Sequence, residues 1–260
     1  MPIAERFEGA NTVFGGKSSP YWGEHAARYV FALPIVSGLA VLDIACGTGY
    51  GLGILMREAK TVTGLDIDLG AAKQAMSACG GNAGVVLGRG ETLPFVDGAF
   101  DVVTSFETIE HLHHRKEFLG ELVRVLRDDG KLIISTPNAN YTNPVNGKPA
   151  NPFHIYEYTP QELLIELEAH FSVKQFLGQT LKPSIEIPPF HDAQQRLPKD
   201  LSTGAKLIGW KILNKMPMAV REGISEIIWN APFYPTESDY SFSPASLDTA
   251  PVVVAVCEKK

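Results

Sequence analysis

Two short stretches carry side chains whose types and spacing can do chemistry. In "FETIEHLHH", residues 106–114, Glu107, Glu110 and His111 stand at i, i+3 and i+4, and His114 at i+7 continues the same face of a helix. Two carboxylates and an imidazole suit a hard divalent ion such as Mg2+ or Mn2+, and no cysteine joins the set. His154, in the turn-like "NPFHIYEYTPQEL", is a fourth candidate ligand. An ion held by Glu107, Glu110, His111 and His154 would lower the pKa of a hydroxyl beside it. Without an ion, His111 or His154 becomes the candidate general base. The plainer alternative keeps Glu110 and His111 as local packing or capping groups and leaves His113 and His114 as solvated helix residues.

The second stretch is "VLDIACGTGYG", residues 41–51, where an apolar strand reaches Asp43 and then turns through Gly47-Thr48-Gly49 into a helix. Glycines permit a tight turn and let main-chain N–H groups face a ligand with no Cβ in the way. Asp66 closes the next strand, where an acid can accept both hydroxyls of a ribose. No third glycine follows at the dinucleotide spacing, so nothing is tailored to a pyrophosphate. A purely structural strand–helix turn, or a nicotinamide-binding domain, is the competing reading.

These residues need a scaffold, and the rest of the chain supplies one. Apolar strand-like runs at 40–45, 61–67, 84–88, 100–106 and 131–137 alternate with helix-like runs, the last of which, "RKEFLGELVRVLRDDG", is expected to stop at Gly130. Strands that are apolar throughout indicate a parallel sheet covered on both faces, an α/β fold. "YTPQELLIELEAHF" starts with Thr159 as N-cap, Pro160 at the first helical position and Glu162 at the third, a capping box. Two late strands, 171–179 and 250–259, flank a segment with Pro183, Pro188, Pro189, Pro198, Pro232, Pro235 and Pro244. A connection that long reads as a lid or inserted cap. The expected division is an N-terminal covering segment at 1–39, a core at 40–180, a cap at 181–249 and a final core strand at 250–260.

Composition bounds the partners. The 260 residues are 45% hydrophobic and 20% charged, with net charge −6 and no run of more than two cations, which disfavours a nucleic-acid clamp. Cys46, Cys79 and Cys257 are odd in number and widely spaced, so they are expected to be free thiols in a reducing compartment. No signal-peptide core and no membrane-length apolar run occurs, so the expectation is a cytoplasmic protein without membrane contact.

Taken together, "VLDIACGTGYG", "VTGLDID", "GRGETLPFVDGAFDVVTSFETIEHL" and "LRDDGKLIISTPN" resemble the class I S-adenosylmethionine-dependent methyltransferases over residues 25–180 and the last strand. The resemblance implies a Rossmann-like seven-stranded sheet with the last strand antiparallel. It also implies S-adenosylmethionine as cofactor, with Asp43, Gly47 and Gly49 around its methionine moiety. Asp66 would take the ribose, Ile67 would pack on the adenine, and Phe106 would line the same pocket. Relatives commonly have Asp after the third strand, but this chain has Arg89, which has no acceptor. The adenine amino group would then need Glu91, a backbone carbonyl or water. Arg28, in "YWGEHAARYVFA", could pair with the methionine carboxylate, although a simple surface helix is the plainer reading.

The order E-x-x-E-H followed by a distant histidine is similar to two metal-dependent groups. These are the ubiquinone-pathway O-methyltransferases and the small-RNA terminal 2′-O-methyltransferases. The stretches "EHAARYVFALPIVSG" and "STPN…NPFHIYEYTPQEL" look more like methyltransferases encoded with bacterial glycan-assembly enzymes. That likeness implies an O-methyltransferase acting on a hydroxyl of a saccharide or small polyhydroxylated acceptor, whose vicinal diol would suit metal chelation. Trp210, Trp229, Phe233, Tyr234, Tyr240 and Phe242 could stack on sugar faces or simply pack a core. Phenol or quinone-precursor methylation, and a non-catalytic cofactor-binding module, are the competing functions. The oligomeric state is left open.

Overall fold

The computed structural model describes residues 21–182 and 201–260 apart from 214 and 230–232, with 201–203, 206, 207, 210, 228 and 229 described by backbone alone. Residues 1–20 of the expected cover and 183–200 of the expected cap lie outside the described residues, as do the side chains of Trp210 and Trp229.

In chain order the elements are α1 (Trp22–Val36), β1 (Ala40–Ile44), α2 (Tyr50–Leu55), β2 (Thr61–Asp66), α3 (Leu69–Ala78), β3 (Gly84–Leu87) and β4 (Phe100–Phe106). There follow α4 (Arg115–Val125), β5 (Leu126–Pro137), α5 (Ala139–Thr142), α6 (Pro160–Glu168) and β6 (Phe171–Leu181). After α7 (Leu201–Leu213) and α8 (Met218–Trp229) come β7 (Tyr240–Ser243) and β8 (Val252–Lys259). They form one eight-stranded sheet in the order β3-β2-β1-β4-β5-β8-β6-β7. The pairs from β3 to β5 are parallel, whereas β8 runs antiparallel to both β5 and β6. The fold is the expected α/β one with an antiparallel last strand. The eighth strand is β7, an edge strand paired with β6, and it comes from the segment read as cap.

Alternation along each strand divides the core. Leu42, Ile44, Val103, Leu132, Ile134, Val253, Ala255 and Cys257 point to the face covered by Phe118 and Leu122 of α4 and Leu163 of α6. Val41, Val62, Val102, Ile133, Val252, Val254 and Val256 point to the other, under Trp22, Ala26, Tyr29 and Ala32 of α1 and Leu52 of α2. Burial on both faces is why these strands read as continuous apolar runs. All three cysteines are buried and free.

Two boundaries report local physics. The capping box at α6 is present: Glu162 N–H donates to Thr159 Oγ1 (3.3 Å), and Thr159 N–H donates to the Glu162 carboxylate (2.8 Å). By contrast, α4 ends at Val125, five residues before the expected stop at Gly130. Leu126 already pairs with Phe100 of β4, and Asp129 takes the left-handed conformation (φ 61°) inside an irregular start of β5. Sheet pairing and burial of Leu126 override the helix propensity of that stretch.

Candidate active site

Strand order reverses between β1 and β4, and in an open α/β sheet the crevice at the carboxyl ends of those strands receives ligands. Asp43 on β1 and Phe106 on β4 approach that edge, and the glycine turn leaves β1 there. Gly47 and Gly49 both have positive φ, at 56° and 87°. A Cβ on Gly47 would meet nothing within 4 Å, whereas one on Gly49 would lie 2.7 Å from Cα of Ala75. One on Gly51 would strike the Tyr29 ring at 2.1 Å. The glycines therefore divide the work: Gly47 faces open space, Gly49 admits α3, and Gly51 admits α1. Asp66 holds the turn, because its carboxylate accepts from Gly47 N–H (2.9 Å) and Asp68 N–H (2.8 Å). Beside it the Ile67 side chain is 55% exposed, an apolar face open to an aromatic ring. Arg89 and Thr92 close a tight turn with Glu91 inside it.

Asp43 is fully buried and accepts from Thr104 Oγ1 (2.7 Å) and the Tyr29 hydroxyl (3.2 Å). Burial pushes its carboxyl up to about 7, against the pull of those two hydrogen bonds, and Asp66 adds to the rise. The Phe106 ring stands edge-on to Tyr29 with centroids 4.9 Å apart. Sequence reading missed Tyr29 and Thr104, since neither belongs to the glycine motif.

The surface-helix reading of Arg28 is overturned, because the side chain is 0% exposed. Its guanidinium donates to Gln179 Oε1 (2.9 Å) on β6 and to His25 Nδ1 (2.7 Å), and lies 3.5 Å from Glu24. Burial opposes its charge, but the carboxylates Glu107 and Glu24 more than offset that, and its pKa is raised. His25 is held well below its ordinary value by burial and then by Arg28, so it is neutral and accepts. Nε of Arg28 is buried with no hydrogen-bond partner.

The acid–histidine stretch is not the helical turn the spacing suggests. Glu107 leaves β4 in the left-handed conformation (φ 49°), and only Ile109–His111 form a short 3-10 turn. Glu107 is thereby turned away, its carboxylate accepting from Ser135 Oγ (2.7 Å). His114 sits at the N-cap of α4, exposed and 3.7 Å from Glu117. What the fold brings together is Glu110, His111 and His154, with ligand atoms all within 4.8 Å of one another. Glu107 is outside this group.

Each member is oriented by a neighbour. Glu110 is fully buried: one carboxylate oxygen accepts from Thr136 Oγ1 (2.9 Å), while Oε1 has no hydrogen-bond partner. Burial, then Glu107, raises its pKa well above the usual carboxylate range. His111 Nδ1–H donates to the Phe153 carbonyl (2.9 Å), which leaves the lone pair on Nε2, 3.9 Å from Glu110. Burial lowers its pKa, so it is neutral at pH 7. His154 Nδ1–H donates to Glu157 (2.6 Å), and the Asn151 amide donates to its Nε2 (3.0 Å). Burial works against the charge on Glu157, but the bonds from His154 and Thr142 hold its pKa below the ordinary range. The i+3 acid after His154 was the only sequence signal for Glu157, and Asn151 gave none.

A family profile described as "Methyltransferase domain" matches residues 42–134. A Mycolicibacterium smegmatis protein described as "Probable S-adenosylmethionine-dependent methyltransferase" is 36% identical over 68% of this chain and 70% of its own length. The chain belongs to the S-adenosylmethionine-dependent methyltransferases. A Thermobifida fusca demethylmenaquinone methyltransferase is 32% identical over 51% of this methyltransferase and 56% of that protein. The crystal structure of a Thermotoga maritima SAM-dependent methyltransferase aligns with TM-score 0.57 over 92% of this chain and 90% of that one, at 16% identity, a likeness of fold. The methyltransferase is class I, and its cofactor is S-adenosylmethionine. No helix among the described residues is long and apolar enough to cross a membrane.

The residues fit that cofactor on two observations: the space beside Gly47 that a Cβ would fill, and the exposed Ile67 face next to Asp66. Of the aromatics read as sugar-stacking candidates, Phe233, Tyr234 and Tyr240 are buried, and Phe242 packs on Phe31 at 4.6 Å.

Proposed function

We propose that this methyltransferase transfers a methyl group to a hydroxyl oxygen of a saccharide or other small polyhydroxylated acceptor, assisted by a divalent ion on Glu110, His111 and His154. The observation that supports this reading is the convergence of those three side chains beyond β4, with Glu110 Oε1 buried and unpartnered. Ligating histidines take this arrangement, one nitrogen fixed by a carbonyl or carboxylate and the other turned to the ion. The donor set suits Mg2+ or Mn2+, and such an ion supplies a lowered hydroxyl pKa. Binding an ion would exchange the Asn151 hydrogen bond on His154 Nε2.

The protein's own groups do the rest. Methyl transfer is a direct displacement, so holding the acceptor oxygen in line contributes most. Without the ion, His111, neutral with its lone pair on Nε2, is the group able to take the hydroxyl proton. Arg28, with Nε unpaired, is assigned the methionine carboxylate, and Asp66 the ribose. The segment between β6 and β7 is assigned as acceptor cap and 1–39 as cofactor cover. The contact of Tyr29 with Asp43 supports the latter. A second reading, methylation of a quinone precursor, is favoured by the name of the Thermobifida fusca relative.

Formation of S-adenosylhomocysteine over a sugar panel, with and without exhaustive chelation, tests the proposal. Turnover on a sugar hydroxyl should be abolished by chelation and restored by Mg2+ or Mn2+, with cofactor affinity nearly unchanged. Glu110→Ala and His154→Ala should each mimic chelation. Turnover that survives chelation refutes the ion and leaves His111 as base. Methylation of a quinone precursor and of no sugar refutes the acceptor class.

A further inference from the structure

Helices α7 and α8 form a pair whose inner side is already filled. Leu213, Met218 and Ile224 pack with Phe233 and Tyr234, and the Arg221 guanidinium lies 5.4 Å from both of those rings. Other apolar side chains of both helices are exposed. On α7, Ile208 and Ile212 are 62% and 56% exposed at i and i+4. On α8, Val220 and Ile227 are 45% and 86% exposed at i and i+7. Met216 between the helices is also exposed. A single exposed isoleucine is ordinary, but exposed apolar residues at helical spacing on two consecutive helices are of the kind that marks an interaction surface.

Charge says what covers it. The segment 201–229 carries Lys206, Lys211, Lys215 and Arg221 against Glu222 and Glu226, in a chain whose net charge is −6. Lys211 and Lys215 are exposed beside Ile212. Lysines flanking an apolar stripe bury their stems and keep their ammonium groups at a polar boundary. That pattern fits an anionic lipid headgroup layer over acyl chains. At 13 and 12 residues the helices are too short to span a bilayer and long enough to lie in its surface.

We propose that the α7–α8 pair docks on the surface of an anionic lipid bilayer. The attachment is not remote from the chemistry. Beyond α8 the chain runs through Phe233 and Tyr234 to Pro235, which lies so close to Gly23 that a Cβ there would be 2.2 Å from its carbonyl oxygen. Gly23 opens α1, the helix carrying Arg28 and Tyr29. The docked pair is thus joined by a short stretch of chain to α1, which covers the crevice.

Co-sedimentation of the full chain with phosphatidylcholine vesicles, with and without phosphatidylglycerol, tests this without reading turnover, so the outcome is independent of the acceptor assigned above. The protein should pellet with the anionic vesicles, and severalfold less with phosphatidylcholine alone or at high salt. Ile208→Glu with Ile212→Glu, and separately Lys211→Glu with Lys215→Glu, should each cut the bound fraction about tenfold, with melting temperature and cofactor affinity unchanged. No pelleting of the wild type, or variants that pellet like it, overturns the proposal. A dimer in sedimentation equilibrium that the isoleucine pair abolishes, without vesicle binding, assigns the face to a second copy and overturns it too.

Discussion

Asp66 shows how much one carboxylate does in this site. It accepts from the main chain of Gly47 and of Asp68, so it shapes the turn at the place proposed for a ribose. Asp66→Ala leaves those two N–H groups without their acceptor, at about 1–3 kcal/mol for a buried group. The variant should bind S-adenosylmethionine roughly tenfold or more weakly by calorimetric titration, and it should melt lower even without cofactor. Unchanged affinity would remove Asp66 from the ribose. Asp43 makes a different prediction. Its folded pKa of about 7 lies above the ordinary 3.8, so the folded protein holds a proton that the unfolded chain releases. Stability from this group is present in full below about pH 4 and is lost as pH rises through 7, a swing of about 4 kcal/mol at most. Melting temperature measured from pH 4 to 8 should therefore fall less steeply in Asp43→Asn than in the wild type. Parallel slopes would place the proton elsewhere.

At the scale of elements, the glycine turn was legible because strand, acid and glycines follow one another in the chain, yet the roles of the glycines were not. Spacing alone cannot say that Gly47 faces open space while Gly49 abuts Ala75, since α3 reaches that position only through the fold. The two should respond oppositely to alanine. Gly49→Ala, overpacked as well as left-handed, should cost about 1–3 kcal/mol of stability. Gly47→Ala should cost only about 1 kcal/mol in backbone strain, but it should weaken cofactor binding, because its methyl group enters the cradle. Thermal melts and titrations on both variants check the pair, and equal stability losses would refute the division. The acid–histidine stretch was read less well. Its i, i+3, i+4 pattern placed Glu107 with Glu110, but a left-handed backbone at Glu107 breaks the helix before it begins. Likewise β5 starts where helix propensity still runs, because pairing with β4 was invisible in the local sequence. Strand periodicity, set by burial on both faces, survived all this.

For the whole molecule, the feature with the widest reach is the position of β8. It pairs with β5 through seven residues, Lys131↔Glu258 to Pro137↔Val252, and with β6 on its other side. Val252, Val254 and Val256 complete one core, and Val253, Ala255 and Cys257 the other. A chain ending at Thr249 should therefore remain without cooperative melting, which calorimetry would register as a missing transition. A truncated protein that still melts sharply would mean that β5 and β6 can close without it. The strand that joins the two halves of the sheet is also the last described element to leave the ribosome. Translation thus delivers β1 to β6 as an incomplete sheet, with the edges of β5 and β6 bare until β8 emerges. During that interval the nascent chain offers two unpaired edges to other strands, a time window in which a chaperone or a slowed ribosome decides the yield of native protein.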